Sequence, residues 1–303
     1  MLTRDVAYFG HQKNLRLDNG RVELILATEF GPRVLRYAMI GGSNVLGEVP
    51  PSVQGNDTPF GDEWHLYGGH RLWYAPEGDP RSYWPDNAPV RADIVRERVT
   101  LVQDVEPHTQ LEKSITVELA PTGTKVSLTH TLTNRGAFEV ELAPWALTVM
   151  ARGGRAILAH PPYVPHPTAL APARPLVLWP YTRMADPRWT WGDRLIFLRH
   201  GAGDAQKLGV YDPEGFIAYE LDGMLFVKRH EPRPGPHADF GTNVQTFTNE
   251  LILELETLGP LARVPPGGAV VHREEWFLFD DVRLEGTEKE CELALRNALS
   301  RCA

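Results

Sequence analysis

Apolar and polar residues alternate through two neighbouring stretches of this chain, 111–119 and 125–133, joined by "APTGT". Ile115, Val117 and Leu119 alternate with polar residues in the first stretch, and Val126, Leu128 and Leu132 in the second. A period of two sets one side of a strand against a core and leaves the other exposed, a pattern that no helix satisfies. The pair predicts an antiparallel hairpin. "NLRLDNGRVELILAT" predicts another, with Asn19-Gly20 supplying the positive φ values of a tight type I′ turn. Further strands are expected near 194–199, 207–211, 216–221, 223–229, 242–248, 250–258 and 269–279. The 27 glycines and 26 prolines are scattered, as many short strands joined by turns require.

One helix is expected, at the end. Thr287 and Glu290 have the spacing of a capping box, and Cys291, Ala294, Leu295, Ala298, Leu299 and Cys302 then recur at helical spacing. The two cysteines therefore lie on a packing stripe and read as small buried hydrophobes. Residues 160–187 carry eight prolines mixed with tryptophans and tyrosines, which predicts an ordered loop over one end of a β structure. The strand pattern resumes afterwards unchanged. Residues 1–303 are therefore read as one domain that includes this loop and a helix over 287–302.

Composition narrows the function. A net charge of −8 does not attract phosphate backbones, so nucleic acid is not an expected partner. No run of 18 apolar residues spans a membrane, and "MLTRDVAYFGHQKN" has no secretory apolar core. With only two cysteines, a reducing cytoplasmic setting fits best, and either a monomer or a homodimer is compatible with the pattern. No phosphate loop, dinucleotide fingerprint or nucleophile elbow is present. "RHEPRPGPHADF" offers His230, Glu231, His237 and Asp239, but its spacing matches no helical metal motif, so neither a metal nor another cofactor is expected.

The segment "WHLYGGHRLWYAPE" (64–77) opens an aromatic concentration. Six of the seventeen Trp and Tyr residues fall between Trp64 and Trp84. Sugars present apolar C–H faces and hydroxyl rims, which suit aromatic platforms bordered by Arg, His and carboxylates. Packing at the end of a sandwich would use the same residues. By alternation Arg71 and Trp73 share one face and His70, Leu72 and Tyr74 the other. A bent backbone after Gly68-Gly69 would let His70, Arg71 and Trp73 reach one groove. Trp179, Tyr181, Trp189 and Trp191 on the Pro-rich stretch could close over it or anchor their own loop.

In chain order, "TEFGPRVLRYAMIGGSNVL", "YGGHRLWYAPE", "LTHTLTNRGAFEVELAPWALTVM", "LILELETLGPLARVPPGG" and "VVHREEWFLF" together resemble the galactose mutarotase-like superfamily, which includes the aldose 1-epimerases. Within it the chain is most similar to a subgroup with a "GGHRLW-APE" segment. The resemblance covers roughly residues 15–280. It implies an all-β fold, a large antiparallel β-supersandwich, with a small-molecule carbohydrate in a groove on one concave sheet.

The resemblance assigns Glu256, in "LETLGP", to the position of the family's general base. The pattern agrees in part: Leu251, Leu253 and Leu255 point one way, Ile252, Glu254 and Glu256 the other. Two carboxylates on one strand face are about 7 Å apart and raise each other's pKa in a desolvated groove; on an open face they would simply meet water. Trp145 falls at the place of the family's acid histidine and Tyr67 at a second family histidine, so the usual proton donor is missing. His70 could replace it, since a histidine titrates near about 6.5. Arg71 could fork onto sugar hydroxyls or pair with Glu77 or Glu63. Glu77, Lys228 and His230 complete the expected binding residues, and the cations among them hint at an acidic sugar. Three functional classes fit: an enzyme acting at an anomeric centre, a non-catalytic sugar binder, and an interaction protein with a vestigial groove.

Overall fold

The computed structural model describes residues 1–50 and 52–302. Eleven strands form one antiparallel sheet and ten form the other, with a two-stranded ribbon, Asn56–Asp57 and Glu63–Trp64, beside them. The architecture is all-β, as the alternation requires. The predicted hairpin is present as Leu111–Leu119 and Val126–Asn134, paired without a break from Leu111 opposite Asn134 to Leu119 opposite Val126.

In the first sheet the strands His70–Ala75, Val140–Met150, Leu253–Leu258, Val244–Thr248 and Gln206–Val210 lie side by side in that order. In the second, Phe216–Leu221, Met224–His230, Ala269–Phe279, Val126–Asn134 and Leu111–Leu119 do the same. Leu72, Leu253 and Leu255 from the first sheet share a core with Ile115, Val117 and Trp276 from the second. A leucine fully buried there contributes about 1.5–3 kcal/mol, which fixes which face of Leu253–Leu258 turns outward.

The second sheet is covered on its other face by the helix Glu288–Ser300, whose Cys291, Leu295 and Ala298 pack on Leu225, Val227 and Phe277. Thr287 and Glu290 cap it reciprocally, and both cysteines are buried.

Two local expectations are corrected. Between His11–Asp18 and Val22–Leu26 only Gly20 takes positive φ; Asn19 does not, so the turn is not type I′. Asn19 instead uses Oδ1 to accept the N–H groups of Arg21 and Val22. The Pro-rich stretch is not wholly a loop: Leu176–Leu178 pairs with Gln206–Val210 and extends the first sheet. That pairing carries Trp179 and Tyr181 onto the sheet's outer face. At Gly68 and Gly69 the φ values are +84° and +66°, and an added Cβ would lie 2.2 Å from the Gly47 oxygen or 2.3 Å from the Val34 oxygen. Only glycine permits this turn into the His70–Ala75 strand.

Candidate functional site

The outer face of the first sheet carries its functional side chains in cross-strand rows. Arg71, Leu147, Glu256 and Gln245 form one row. Val149, Glu254, Phe247 and Lys207 form the next, and Trp73 and Trp145 face each other in a third. The charges then cross between rows. Arg71 Nη2 reaches Glu254 Oε1 at 3.1 Å, and Lys207 Nζ reaches Glu256 Oε2 at 2.9 Å. Each cation also lies against indole faces: Arg71 against Trp73 at 4.6 Å and Trp64 at 5.5 Å, Lys207 against Trp145 at 4.6 Å and Trp179 at 4.9 Å. A guanidinium or ammonium over an indole is held by the ring quadrupole as well as by its carboxylate.

Above these rows is a cleft of about 560 Å³. Trp64, Trp73, Trp145, Trp179, Tyr83 and Tyr181 wall it, and Arg71, Lys207, Glu77 and Glu254 supply its charges. Glu77 accepts a hydrogen bond from the Tyr83 hydroxyl. Glu256 is fully buried at the base of this arrangement, where the Trp145 indole N–H donates to its Oε2 at 2.8 Å. Burial pushes the Glu256 carboxyl up to about 7, with Glu254 adding to the rise while Lys207 and Trp145 oppose it. Burial, together with Glu256, Glu77 and Glu254, raises the Tyr181 hydroxyl. Burial also raises that of Tyr83.

Several buried polar atoms here have no hydrogen-bond partner within the protein: Trp64 Nε1, Arg71 Nε and Nη1, Glu256 Oε1 and Gln245 Oε1. These atoms are closed to solvent; of their residues Trp64 and Arg71 line the cleft, while Glu256 and Gln245 lie beneath it.

Arg71, Trp73, Glu77, Trp145, Glu254 and Glu256 are thus brought together, whereas His70, Tyr67, Lys228 and His230 are not. His70–Ala75 is a regular strand, so His70 follows Leu72 and Tyr74 inward and is fully buried between the sheets. Its placement in the groove required a bend that the strand does not have. Tyr67, at φ +54°, turns away to stack on Phe30 with ring centroids 4.1 Å apart and to donate to Asn87. Lys228 and His230 point into the inter-sheet layer because Leu225 and Val227 on the same strand face the helix. Lys228 donates to the carbonyl oxygens of Ala146 and Leu255 and to Thr148, and pairs with Glu274 at 2.9 Å. Burial lowers its pKa and Glu274 opposes that. His230 has neither ring nitrogen paired, and burial depresses it to about 4.

The inner layer forms a hydrogen-bond chain whose direction can be assigned. His130 Nδ1 must donate to the His272 carbonyl, so its Nε2 accepts from His70 Nε2 at 2.7 Å. His70 Nδ1 then accepts from the Thr148 hydroxyl at 2.9 Å, which in turn accepts from Lys228. Ring nitrogens of His70 and His130 and a Glu274 oxygen lie within 4.8 Å of one another and have the chemistry of metal ligands. The two imidazoles already satisfy each other and Glu274 holds an ammonium, so the cluster is complete as a neutral-histidine network around one ion pair. In the stretch 230–239, His237 bonds the Gly235 carbonyl of its own loop and Asp239 accepts from Gln245.

Sequence reasoning missed Lys207, which has no motif around it. Only the pairing of Gln206–Val210 with Val244–Thr248 brings it to Glu256.

No protein-family model and no curated protein matches the chain. Solved structures do. A galactose mutarotase-like protein from Lactobacillus casei superposes with a TM-score of 0.59 at 11% identity, over 88% of this chain and 100% of its own. Another from Clostridium acetobutylicum gives 0.55 at 10% identity, over 92% and 98%. The fold is galactose mutarotase-like. It also occurs within larger chains: a TPR-domain containing protein from Parabacteroides distasonis gives 0.61 at 12% identity over 91% of this chain but 49% of its own. The galactose mutarotase-like fold gives the chain's architecture and leaves its chemistry to the side chains of the cleft. No described helix is long and apolar enough to cross a membrane.

Proposed function

We propose that the cleft binds a neutral carbohydrate. The observation that carries this reading is a single cleft in which Trp64, Trp73, Trp145 and Trp179 wall the Arg71, Lys207, Glu77 and Glu254 side chains. A sugar hydroxyl both donates and accepts, and a sugar's C–H faces pack on indoles, so a polyol satisfies both halves of the surface. The two cleft cations are each matched to a carboxylate, and Lys228 and His230 lie elsewhere. An acidic sugar therefore meets no surplus positive charge, and a neutral one is favoured.

A catalytic reading is favoured by Glu256. Burial pushes its carboxyl up to about 7, the range of a base that works at neutral pH, and its ion-pair partner Lys207 lines the cleft. Isothermal titration with hexoses, pentoses and uronic acids tests binding, with Trp73→Ala as the weakened variant. Binding of neutral sugars, lost in that variant, is the expected result. A cooperatively folded protein that binds no sugar in the panel would sink the proposal.

A further inference from the structure

We infer that the aromatic cleft is one end of a longer groove, and that its ligand is a chain of at least three sugars rather than a monosaccharide. This rests on the sugar reading above and adds a second binding hollow to it. That hollow, of about 410 Å³, adjoins the cleft, and Leu251 and Ile252 line both. The other walls also run through the two in chain order. Asn44, Glu48 and Val49 line the second hollow, and Val53, Gln54 and Asn56 the first. Along the strand Val140–Met150 and just past it, Trp145 and Leu147 line the first, and Val149 and Arg152 the second. Hollows built in succession from the same segments are parts of one groove. The segment around Gly47 is held against that strand: Gly47 N–H donates to the Val149 carbonyl at 2.8 Å and Ala151 N–H to the Val45 carbonyl at 2.9 Å. A Cβ added at Gly47 would lie 2.6 Å from the Met150 oxygen and from Val149 Cγ1, so the missing side chain is what lets the wall close in.

Length decides the number of sugars. A strand advances about 3.4 Å per residue, so Trp145 and Met150 are about 17 Å apart, and Arg152 lies beyond. An extended glycan advances about 5 Å per unit, the span of a ring and its bridging oxygen at bond lengths of about 1.5 Å. One sugar therefore reaches one hollow, and three or four reach both. Where the hollows meet, Val49, Val149 and Ile252 form a buried apolar cluster, with Val53, Phe247 and Leu251 packed against it. Aliphatic groups there suit the C–H faces of a sugar crossing between the hollows. Polar groups stand beside this floor in the second hollow. Arg152 donates to the Leu251 and Glu250 carbonyls, and Glu48 accepts from Asn44 at 3.1 Å and from the Tyr8 hydroxyl. Arg36 already has a carboxylate, Glu23 at 2.8 Å, while Arg152 and Glu48 bring opposite charges. The second hollow thus offers no surplus charge, like the first, and suits the hydroxyl rim of a neutral chain.

The test is calorimetric titration of xylose, glucose and galactose beside their linear oligomers: xylo-, cello-, malto- and β-1,4-galacto-oligosaccharides of two to five units. In at least one series affinity should rise about tenfold or more between one sugar and three, and level off beyond four. Ser43→Trp puts an indole into the second hollow from an exposed position, and Arg152→Ala, also at an exposed position, removes a donor from its side. Each should weaken the four-sugar oligomer by about threefold to tenfold and leave the monosaccharide within about twofold of wild type. A wild type that binds the monosaccharide as tightly as every oligomer would overturn the proposal. So would two folded variants that bind the four-sugar oligomer as the wild type does, or that weaken monosaccharide and oligomer equally. A wild type that binds no sugar of any length would instead remove the sugar reading itself.

Discussion

The Lys228–Glu274 pair permits a worked test of what joins the two sheets. Both side chains are fully buried, and the ammonium bonds the Ala146 and Leu255 carbonyls on the strands that carry Trp145 and Glu256 on their other face. Glu274 also accepts from Trp276 Nε1 at 2.9 Å and from the Thr257 hydroxyl. Replacing Lys228 with Met leaves a buried carboxylate whose ammonium is gone, which costs about 3–5 kcal/mol. For a chain of 303 residues that corresponds to roughly 5–8 °C in Tm. Lys228→Met with Glu274→Gln removes both charges yet keeps an amide oxygen for Trp276 and Thr257. The double variant should therefore recover at least about 2 kcal/mol relative to the sum of the single losses. Equilibrium denaturation of the four proteins measures this coupling. Losses that simply add, within about 0.5 kcal/mol, would mean that the two groups do not act as a pair and that the inner layer has been misread.

Three further outcomes are expected. Burial holds His70, His130, His230 and His272 below the ordinary histidine value, His230 at about 4, so the unfolded chain binds more protons as pH falls below about 6.5. A histidine protonated in the unfolded chain and neutral in the fold removes at most about 1.4 kcal/mol per pH unit, while Glu256 at about 7 and Asp212 at about 6 act in the opposite direction. Stability should therefore fall as pH drops from 6.5 to 5, and stability that stays flat over that range would contradict the neutral-histidine layer. Glu256→Gln removes a carboxyl whose ionisation the folded state resists, so its stability relative to wild type should rise by about 3 kcal/mol from pH 4.5 to 8; denaturant midpoints over that range would reveal no such trend if the carboxyl were solvated. Gly68→Ala places a Cβ against the Gly47 oxygen at positive φ, and should lower Tm by more than Gly20→Ala, where the added Cβ meets nothing within 4 Å.

Parity explains both the legible and the illegible parts of this site. A strand with one apolar face declares its other face, and so the leucines of Leu253–Leu258 were enough to send Glu254 and Glu256 outward together. The same rule applied to His70–Ala75 sends Arg71 and Trp73 outward and His70 inward; the chemistry wanted from a histidine argued for a bend that the backbone does not supply. Met224–His230 carries no such signal, because Leu225 and Val227 are covered by the helix while Phe226 is covered by the other sheet. With both faces apolar, nothing local says where Lys228 and His230 point. Lys207, Trp179 and Tyr181 were illegible for a different reason. They reach Glu256 only through pairings among Leu176–Leu178, Gln206–Val210, Val244–Thr248 and Leu253–Leu258, and long-range order of that kind leaves no trace in the spacing of any one strand. The Lys207–Glu256 ion pair is assembled by that order, so a sequence motif for it would have to join residues 49 positions apart on strands that are not themselves neighbours.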